Sequence, residues 1–429
     1  MKQLHRMAWP ISAVLCAAGA LFGCGGSDDP PVEPVTISVS GPNAVSQWNE
    51  TATTTINQPA QATGTPEERS PNTAVDLATM HVAIYDAVVA ITGTHRPYAI
   101  TPTTNPAGAS QDAAVAAAAY GVLFGLFPSR TSQYQATYDA AVAAIPAGAA
   151  KTQGLALGAE VAAGILALRA NDGRSVALAP FVPGTSAGQF RGANPVGRAN
   201  PFIKPFALTT LAQFRAPGPP ALTSAAYAAD VNETKALGAA TSTTRTADQT
   251  ELARFNTESP ATLNPRTMRT FAMTDRSLAE HARLMAIVWV TQADAGNACF
   301  ESKYNYLAWR PSSAITLDGD NNAATVGDAT WTAVVGTPNH PEYPAAHSCI
   351  TSAMAEVVSR YYGTSQVTFD INSLVTGTTR RYTSTSAWVD EVQVARIAGG
   401  MHFRFSTTDG AALGKSVADW VLTHHFQAR

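Results

Sequence analysis

Four apolar-periodic runs follow one another between Val75 and Asn171, and the pattern returns after Leu222 with scarcely any strand signal between. In the first run Leu77, Met80, Ile84 and Val88 recur every three or four residues, so one face of a helix is continuously apolar. Similar periods cover 111–127, 131–145 and 151–171, the last stopped by Asn171-Asp172-Gly173. They resume at 223–238, 244–256, 276–296, 347–362, 387–398 and 409–426. Val45, Trp48, Ala52 and Ile56 extend the spacing back to about Ala44. Such a chain must bury helix faces against helix faces, so the expected fold is mainly α, packed as helical bundles. The strongest strand signal is Gln366 to Phe369. With 45% hydrophobic residues there is ample material for a large core.

The N-terminus reads differently. Lys2 and Arg6 precede an apolar stretch from Met7 to Gly23, the pattern of an export signal. Cys24 follows Gly23 and resembles the acylated cysteine of a bacterial lipoprotein. The expected organisation is a signal over 1–23, a flexible Gly/Ser/Pro-rich tether over 24–43, and a helical domain over 44–429. The expected location is periplasmic or outer-membrane-anchored, with secretion as the alternative. Membrane contact would come only through lipid on Cys24. The longest remaining apolar run, Ala113 to Phe127, falls short of the roughly 18 residues a span needs. Lys plus Arg is 28 against 31 Asp plus Glu, which argues against a nucleic-acid binder. Cys299 and Cys349 are the two other cysteines of the mature chain. In an oxidising compartment they are a candidate bridge, with two buried thiols as the alternative.

Residues 174–222 are rich in Pro and Gly and lack a sustained period, the character of a functional or disordered loop. Within them Gly184-Thr185-Ser186-Ala187-Gly188 matches a serine-hydrolase elbow, but neither the strand nor the helix that motif needs flanks it. Gly410 to Ser416 is one residue short of a phosphate-binding loop and reads as part of the last helix. His340 and His347 are poorly spaced to share a divalent metal.

Chemistry concentrates in about 244–429, chiefly after residue 290, in three clusters. Lys303 and Arg310 stand seven apart before Pro311; on one helix both would face the same way about 10 Å apart. His347 follows Pro344 and opens a helix, where free N–H groups favour an anion. Arg396 and His402 flank Gly399-Gly400, which can turn the histidine back toward the arginine. Each cluster alone could be a solvated helix face, a core histidine or an ordinary helix end.

Together, Lys-x6-Arg-Pro, Pro-x-x-His and Arg-x5-His resemble the signature shared by vanadium-dependent haloperoxidases and type 2 phosphatidic acid phosphatases. Trp309-Arg310-Pro311, Tyr343-Pro344 and Gly400-Met401-His402-Phe403-Arg404-Phe405 are similar to bacterial haloperoxidase-like members. The resemblance implies a helical-bundle fold and a vanadate cofactor. Lys303, Arg310, Arg396 and the Ala346 backbone would bind its oxygens, His402 would be the axial vanadium ligand, and His347 the acid–base group. Lys303 would also polarise bound peroxide. The partners implied are hydrogen peroxide, a halide and a small organic acceptor. In the phosphatase relatives the pocket takes phosphate, and His402 would be the nucleophile. A non-catalytic surface lipoprotein that keeps the fold is a third reading.

Some positions depart from the family pattern. Ala345-Ala346 stands where Ser-Gly precedes the helix histidine, so an anion-binding hydroxyl is missing. Ser406 stands where Asp often follows the axial histidine, and Glu258 is expected to orient one of the arginines instead. Phe300 and His340 occupy the halide-site positions, in a combination that favours bromide or iodide over chloride. Since the motifs around Cys299 and Cys349 would line one anion, the two cysteines should lie close together.

Overall fold

The computed structural model describes residues 33–58 and 72–429. The expected signal over 1–23 and Cys24 lie outside the described residues. The folded unit is Pro34–Arg429. It starts before the expected Ala44, because Val35–Thr36 (β1) pairs in parallel with Val367–Asn372 (β2). β2 pairs antiparallel with Thr379–Tyr382 (β3), completing a small three-stranded sheet.

Among the described residues everything else of regular form is helical, apart from two single 3-10 turns and isolated bridges. The first five helices are α1 (Ala44–Asn57), α2 (Thr73–Thr92), α3 (Gln111–Leu126), α4 (Thr131–Ala144) and α5 (Ala149–Leu168). α2 is buried almost all round, which only an interior helix can be, whereas α3 leaves Phe124 exposed near its end. α2 is the one described helix long and apolar enough to cross a bilayer, a correction to the choice of Ala113–Phe127, but its most apolar window is 83% buried by its neighbours. α3 and α5 approach closely at glycines. A Cβ on Gly158 would lie 2.3 Å from the Ala114 carbonyl oxygen.

The second half comprises α6 (Ala225–Gly238), α7 (Ala247–Phe255), α8 (Pro260–Phe271), α9 (Leu278–Tyr306), α10 (Pro311–Leu317), α11 (Ala346–Tyr362), α12 (Thr385–Ala398) and α13 (Arg404–His424). α9 starts at a capping box of Ser277 and Glu280 and packs against α2, α11 and α13. It therefore joins the two halves, and one apolar cluster runs from Val45 to Phe426. A smaller cluster of Tyr227, Trp309, Trp331 and Phe403 sits apart. It places Trp309 and Phe403, and so fixes the neighbouring Arg310 and His402.

The 174–222 segment is irregular yet held. The buried Asp294 carboxylate on α9 accepts the N–H groups of Phe206, Ala207 and Leu208. Gln189 bridges Ala308, and Val196 N–H donates to the Asn339 carbonyl.

Candidate active site

Three segments meet below one cavity of about 530 Å³. The first is the end of α9. Its last turn carries Lys303, and Leu307 closes it in the left-handed region at φ 50°. The expected shared helix is therefore wrong. Arg310 lies beyond the helix end in extended backbone, and Pro311 begins α10 rather than ending α9. Arg310 still reaches the site. Its Nη1 lies 3.0 Å from His402 Nε2, and its Nη2 lies 3.0 Å from His340 Nδ1. Lys303 Nζ donates to the carbonyls of Pro341 and Glu342 at 2.9 and 2.8 Å.

The second segment is 340–348. Ala345 N-caps α11 with no side-chain cap, and its N–H donates to the Ser406 carbonyl on α13. The first turn of α11 thus offers uncapped N–H groups at Ala346 and His347. His347 and Ala346 line the cavity. His347 Nε2 and Ser348 Oγ are buried without a protein partner. Cys349, two residues on, forms a disulfide with Cys299 of α9.

The third segment is the end of α12. Arg396 donates through Nη1 to the Asn256 carbonyl, its Nη2 lies 3.0 Å from Met401 Sδ, and its Nε is unpartnered. Gly400 at φ 74° turns the chain, as a left-handed glycine can. His402 then faces Arg310. His340, His347 and Arg396 line the cavity directly, with Lys303, Arg310 and His402 buried behind its wall.

Glu342 is the residue sequence reasoning missed. Its Oε1 lies 2.8 Å from His402 Nδ1 and accepts the Phe403 N–H. A carboxylate there holds the proton on Nδ1, leaving the Nε2 lone pair toward Arg310. The acidic partner absent at Ser406 comes from another segment. Its only sequence signal was an acid inside Pro341-Glu342-Tyr343-Pro344. Glu258 lines the cavity but does not orient an active-site arginine; it forms a two-point pair with Arg266 at 2.9 and 3.0 Å. Phe300 and His340 both line the cavity, with ring centroids 5.1 Å apart.

The electrostatics suit an oxyanion. Burial holds Lys303 well below the usual ammonium range, and Arg310 adds to the shift. Burial pushes Arg396 down to about 9 and Arg310 to about 10. Burial and the three cations hold His347 and His402 well below the usual imidazole range. Burial pushes Glu342 up to about 7, against the pull of Lys303 and Arg310. Three buried cations with one nearby carboxylate, plus an orphaned donor on Arg396, are costly unless an anion offsets them. No cluster of three or more His, Cys, Asp or Glu fit for a cation occurs among the described residues. A tetrahedral or trigonal-bipyramidal oxyanion such as vanadate or phosphate fits this donor set.

Residues 283–428 match the family model described as the VCPO second helical-bundle domain. Over 94 residues the chain is 32% identical to the vanadium chloroperoxidase of Curvularia inaequalis. That stretch is 20% of this chain and 15% of the relative, so the match spans a small part of the curated protein. The fold is similar to that of a bacterial vanadium-dependent iodoperoxidase, with TM-score 0.70 and 20% identity over 90% of this chain and 96% of that one. It is also similar to a holo-type bacterial vanadium-dependent chloroperoxidase, with TM-score 0.67 and 16% identity over 89% and 97%. The mainly α, helical-bundle fold and the resemblance to vanadium haloperoxidases are thus borne out.

Proposed function

We propose that the protein is a vanadate-dependent haloperoxidase that oxidises a halide with hydrogen peroxide. The observation that supports this is that three distant segments bring Arg310 to 3.0 Å from His402, Lys303 to the Pro341 and Glu342 carbonyls beside them, and His347 and Arg396 to the wall of the adjoining cavity. Bound vanadate would supply the electron-poor centre at which peroxide becomes an oxidant for halide. The chain's own residues do the rest. Lys303, Arg310 and Arg396 offset oxyanion charge from fixed positions, which costs no reorganisation during reaction. Glu342 would keep His402 in the Nδ1–H form, and Nε2, which accepts from Arg310 Nη1 at 3.0 Å, would ligate once Arg310 turns to the anion's oxygens. His347, neutral and lining the cavity, takes or returns a proton at Nε2. The apolar walls at Phe300 and Ile350 suit a small organic acceptor. Phe300 and His340 are our halide-site residues, with bromide or iodide favoured over chloride.

A second reading has one observation in its favour. A histidine with Nδ1–H on a carboxylate and an unprotonated Nε2 is also a competent nucleophile for a phosphate ester, once Arg310 leaves Nε2 for a phosphate oxygen. Nε2 would attack phosphorus, and the ester oxygen would leave with a proton from His347.

The protein incubated with orthovanadate, peroxide and bromide should brominate a phenol dye, and Lys303→Ala and Arg396→Ala should abolish it. Hydrolysis of p-nitrophenyl phosphate without vanadate, and no bromination, would replace this reading by the phosphatase. Turnover in neither assay would leave a non-catalytic surface lipoprotein. Export and acylation at Cys24 are part of the proposal. The disulfide supports them, since such bonds persist in oxidising compartments. The intact mass of the mature N-terminal peptide tests them.

A further inference from the structure

Arg396 is the anion-site cation that lines the cavity directly. Its Nη1 donates to the Asn256 carbonyl at 2.9 Å, but its Nη2 faces the thioether sulfur of Met401 at 3.0 Å. A thioether is a weak acceptor, so a charged donor is matched with a poor partner. An oxyanion oxygen is a far better one, and Nη2 can exchange sulfur for oxygen with little loss.

Met401 is tied to both arginines. Its carbonyl accepts from Arg310 Nη1 at 2.9 Å, and its sulfur meets Arg396. Its methyl packs against the end of α12, where a Cβ on Gly399 would lie 2.8 Å from Met401 Cε. The residue forms part of the cavity wall. The other described methionines do not line this cavity. Met80, Met268, Met285 and Met354 are 0% exposed, and Met273 sits half-buried just after α8.

We propose that Met401 is an oxidation site whose conversion to the sulfoxide weakens anion binding. Hydrogen peroxide in the cavity would be attacked by the sulfur lone pair. A sulfur–oxygen bond forms as the peroxide O–O bond breaks. Sulfur is oxidised by two electrons, peroxide is reduced, and the proton on the transferred oxygen passes to the departing hydroxide, which leaves as water. The product is polar, with an oxygen that accepts hydrogen bonds far better than the thioether does. That oxygen would hold Arg396 Nη2, and the anion would lose one cationic donor. The supply of peroxide rests on the haloperoxidase reading. The contact of an oxidisable sulfur with an arginine on the cavity wall does not.

Vanadate-free protein would be treated with hydrogen peroxide, and the excess removed by catalase. The tryptic peptide from Ile397 to Arg404, in which Met401 is the only methionine, should then carry one added oxygen. It should gain it before the peptides of Met80, Met268, Met285 and Met354. Calorimetry should show the affinity for inorganic phosphate falling by about tenfold, the loss of one hydrogen bond from a charged group. The weakened fraction should follow Met401 sulfoxide rather than Met273 sulfoxide. Met401→Leu should bind phosphate equally before and after the treatment, whatever its starting affinity. Should that variant not fold, wild-type samples oxidised to graded extents decide through the same correlation. Met401 still reduced when Met273 is fully oxidised would overturn the proposal. So would complete oxidation of Met401 with unchanged phosphate affinity, or a wild-type protein that binds neither phosphate nor orthovanadate. If the wild-type protein binds the anion but brominates nothing, the functional reading falls, while the phosphate measurements still decide the role of Met401.

Discussion

Oε1 of Glu342 lies 2.8 Å from Nδ1 of His402, across sixty residues of chain, and both side chains are buried. The contact determines which imidazole nitrogen carries the proton. Partners of this kind are worth about 10- to 100-fold in ligand affinity or activity. Glu342→Leu should lower orthovanadate affinity and dye bromination by about that factor. Glu342→Gln should fall between, because its amide oxygen can still accept from Nδ1–H. Nitrogen NMR of His402 provides the separate readout. Loss of the Nδ1–H tautomer in the Leu variant is expected, and a wild-type tautomer with wild-type affinity would dismiss the role.

The Cys299–Cys349 disulfide closes a 50-residue separation that contains Lys303, Arg310 and His347. Chain-entropy arguments give such a loop about 4 kcal/mol of stabilisation. Replacing both cysteines by alanine should cost an amount of that order in urea unfolding. Phosphate affinity should weaken as well, because Cys349 anchors the first turn of α11. Unfolding curves that superimpose with and without reductant would contradict this.

Gly414 on α13 carries the register of α11. A Cβ there would sit 2.0 Å from the Cys349 carbonyl oxygen, a backbone atom that cannot swing aside. Gly414→Ala should destabilise by about 1–3 kcal/mol, the range of overpacked cores. It should also shift His347, which would appear as weaker anion binding by calorimetry.

Asp86 on α2 gives a pH effect away from the site. Burial raises its carboxyl to about 6, although three backbone N–H groups, of Tyr98, Ala99 and Ile100, bond to it. The folded protein therefore binds this proton more tightly than the unfolded chain, whose value is near 3.8. Stability from this group is full below pH 4 and declines as pH rises toward 6, by about 3 kcal/mol at most. Asp76 and Asp294 are raised by burial too and act in the same direction. The measurement is consequently the difference between wild type and Asp86→Asn. That difference should slope between pH 4 and 6 and flatten above.

How much of this was legible follows from which signals are local. Helix periods and the three cluster spacings are read within a few residues, so the five side chains proposed here for the anion site are all named by local sequence patterns. The errors fall at Pro and Gly. Gly296 reads as a stop, yet α9 continues to Tyr306, because the buried length of a core helix outweighs one glycine. Pro260 and Pro265 hid α8, where the first occupies an N-terminal position and the second is tolerated inside. The αL turn at Leu307, which separates Lys303 from Arg310, lacks the usual glycine signature. Glu342 was invisible because its partner is reached only through the fold.

Ala345 offers the last test, since it occupies two roles at once. It is the N-cap of α11 and makes no side-chain cap, and it stands where the resemblance implies a serine. A hydroxyl there could bond a first-turn N–H, worth about 0.5–2 kcal/mol, or donate to an anion oxygen. It cannot do both with the same geometry. Ala345→Ser should therefore raise thermal stability most in anion-free buffer. Orthovanadate affinity should also rise, by roughly three- to tenfold, the equivalent of one modest hydrogen bond. The stability gain over wild type should shrink as phosphate is added if the hydroxyl turns from the helix to the anion. A gain that is constant at all phosphate concentrations, with unchanged vanadate affinity, would mean the hydroxyl only caps the helix and that the site binds its anion without help from residue 345.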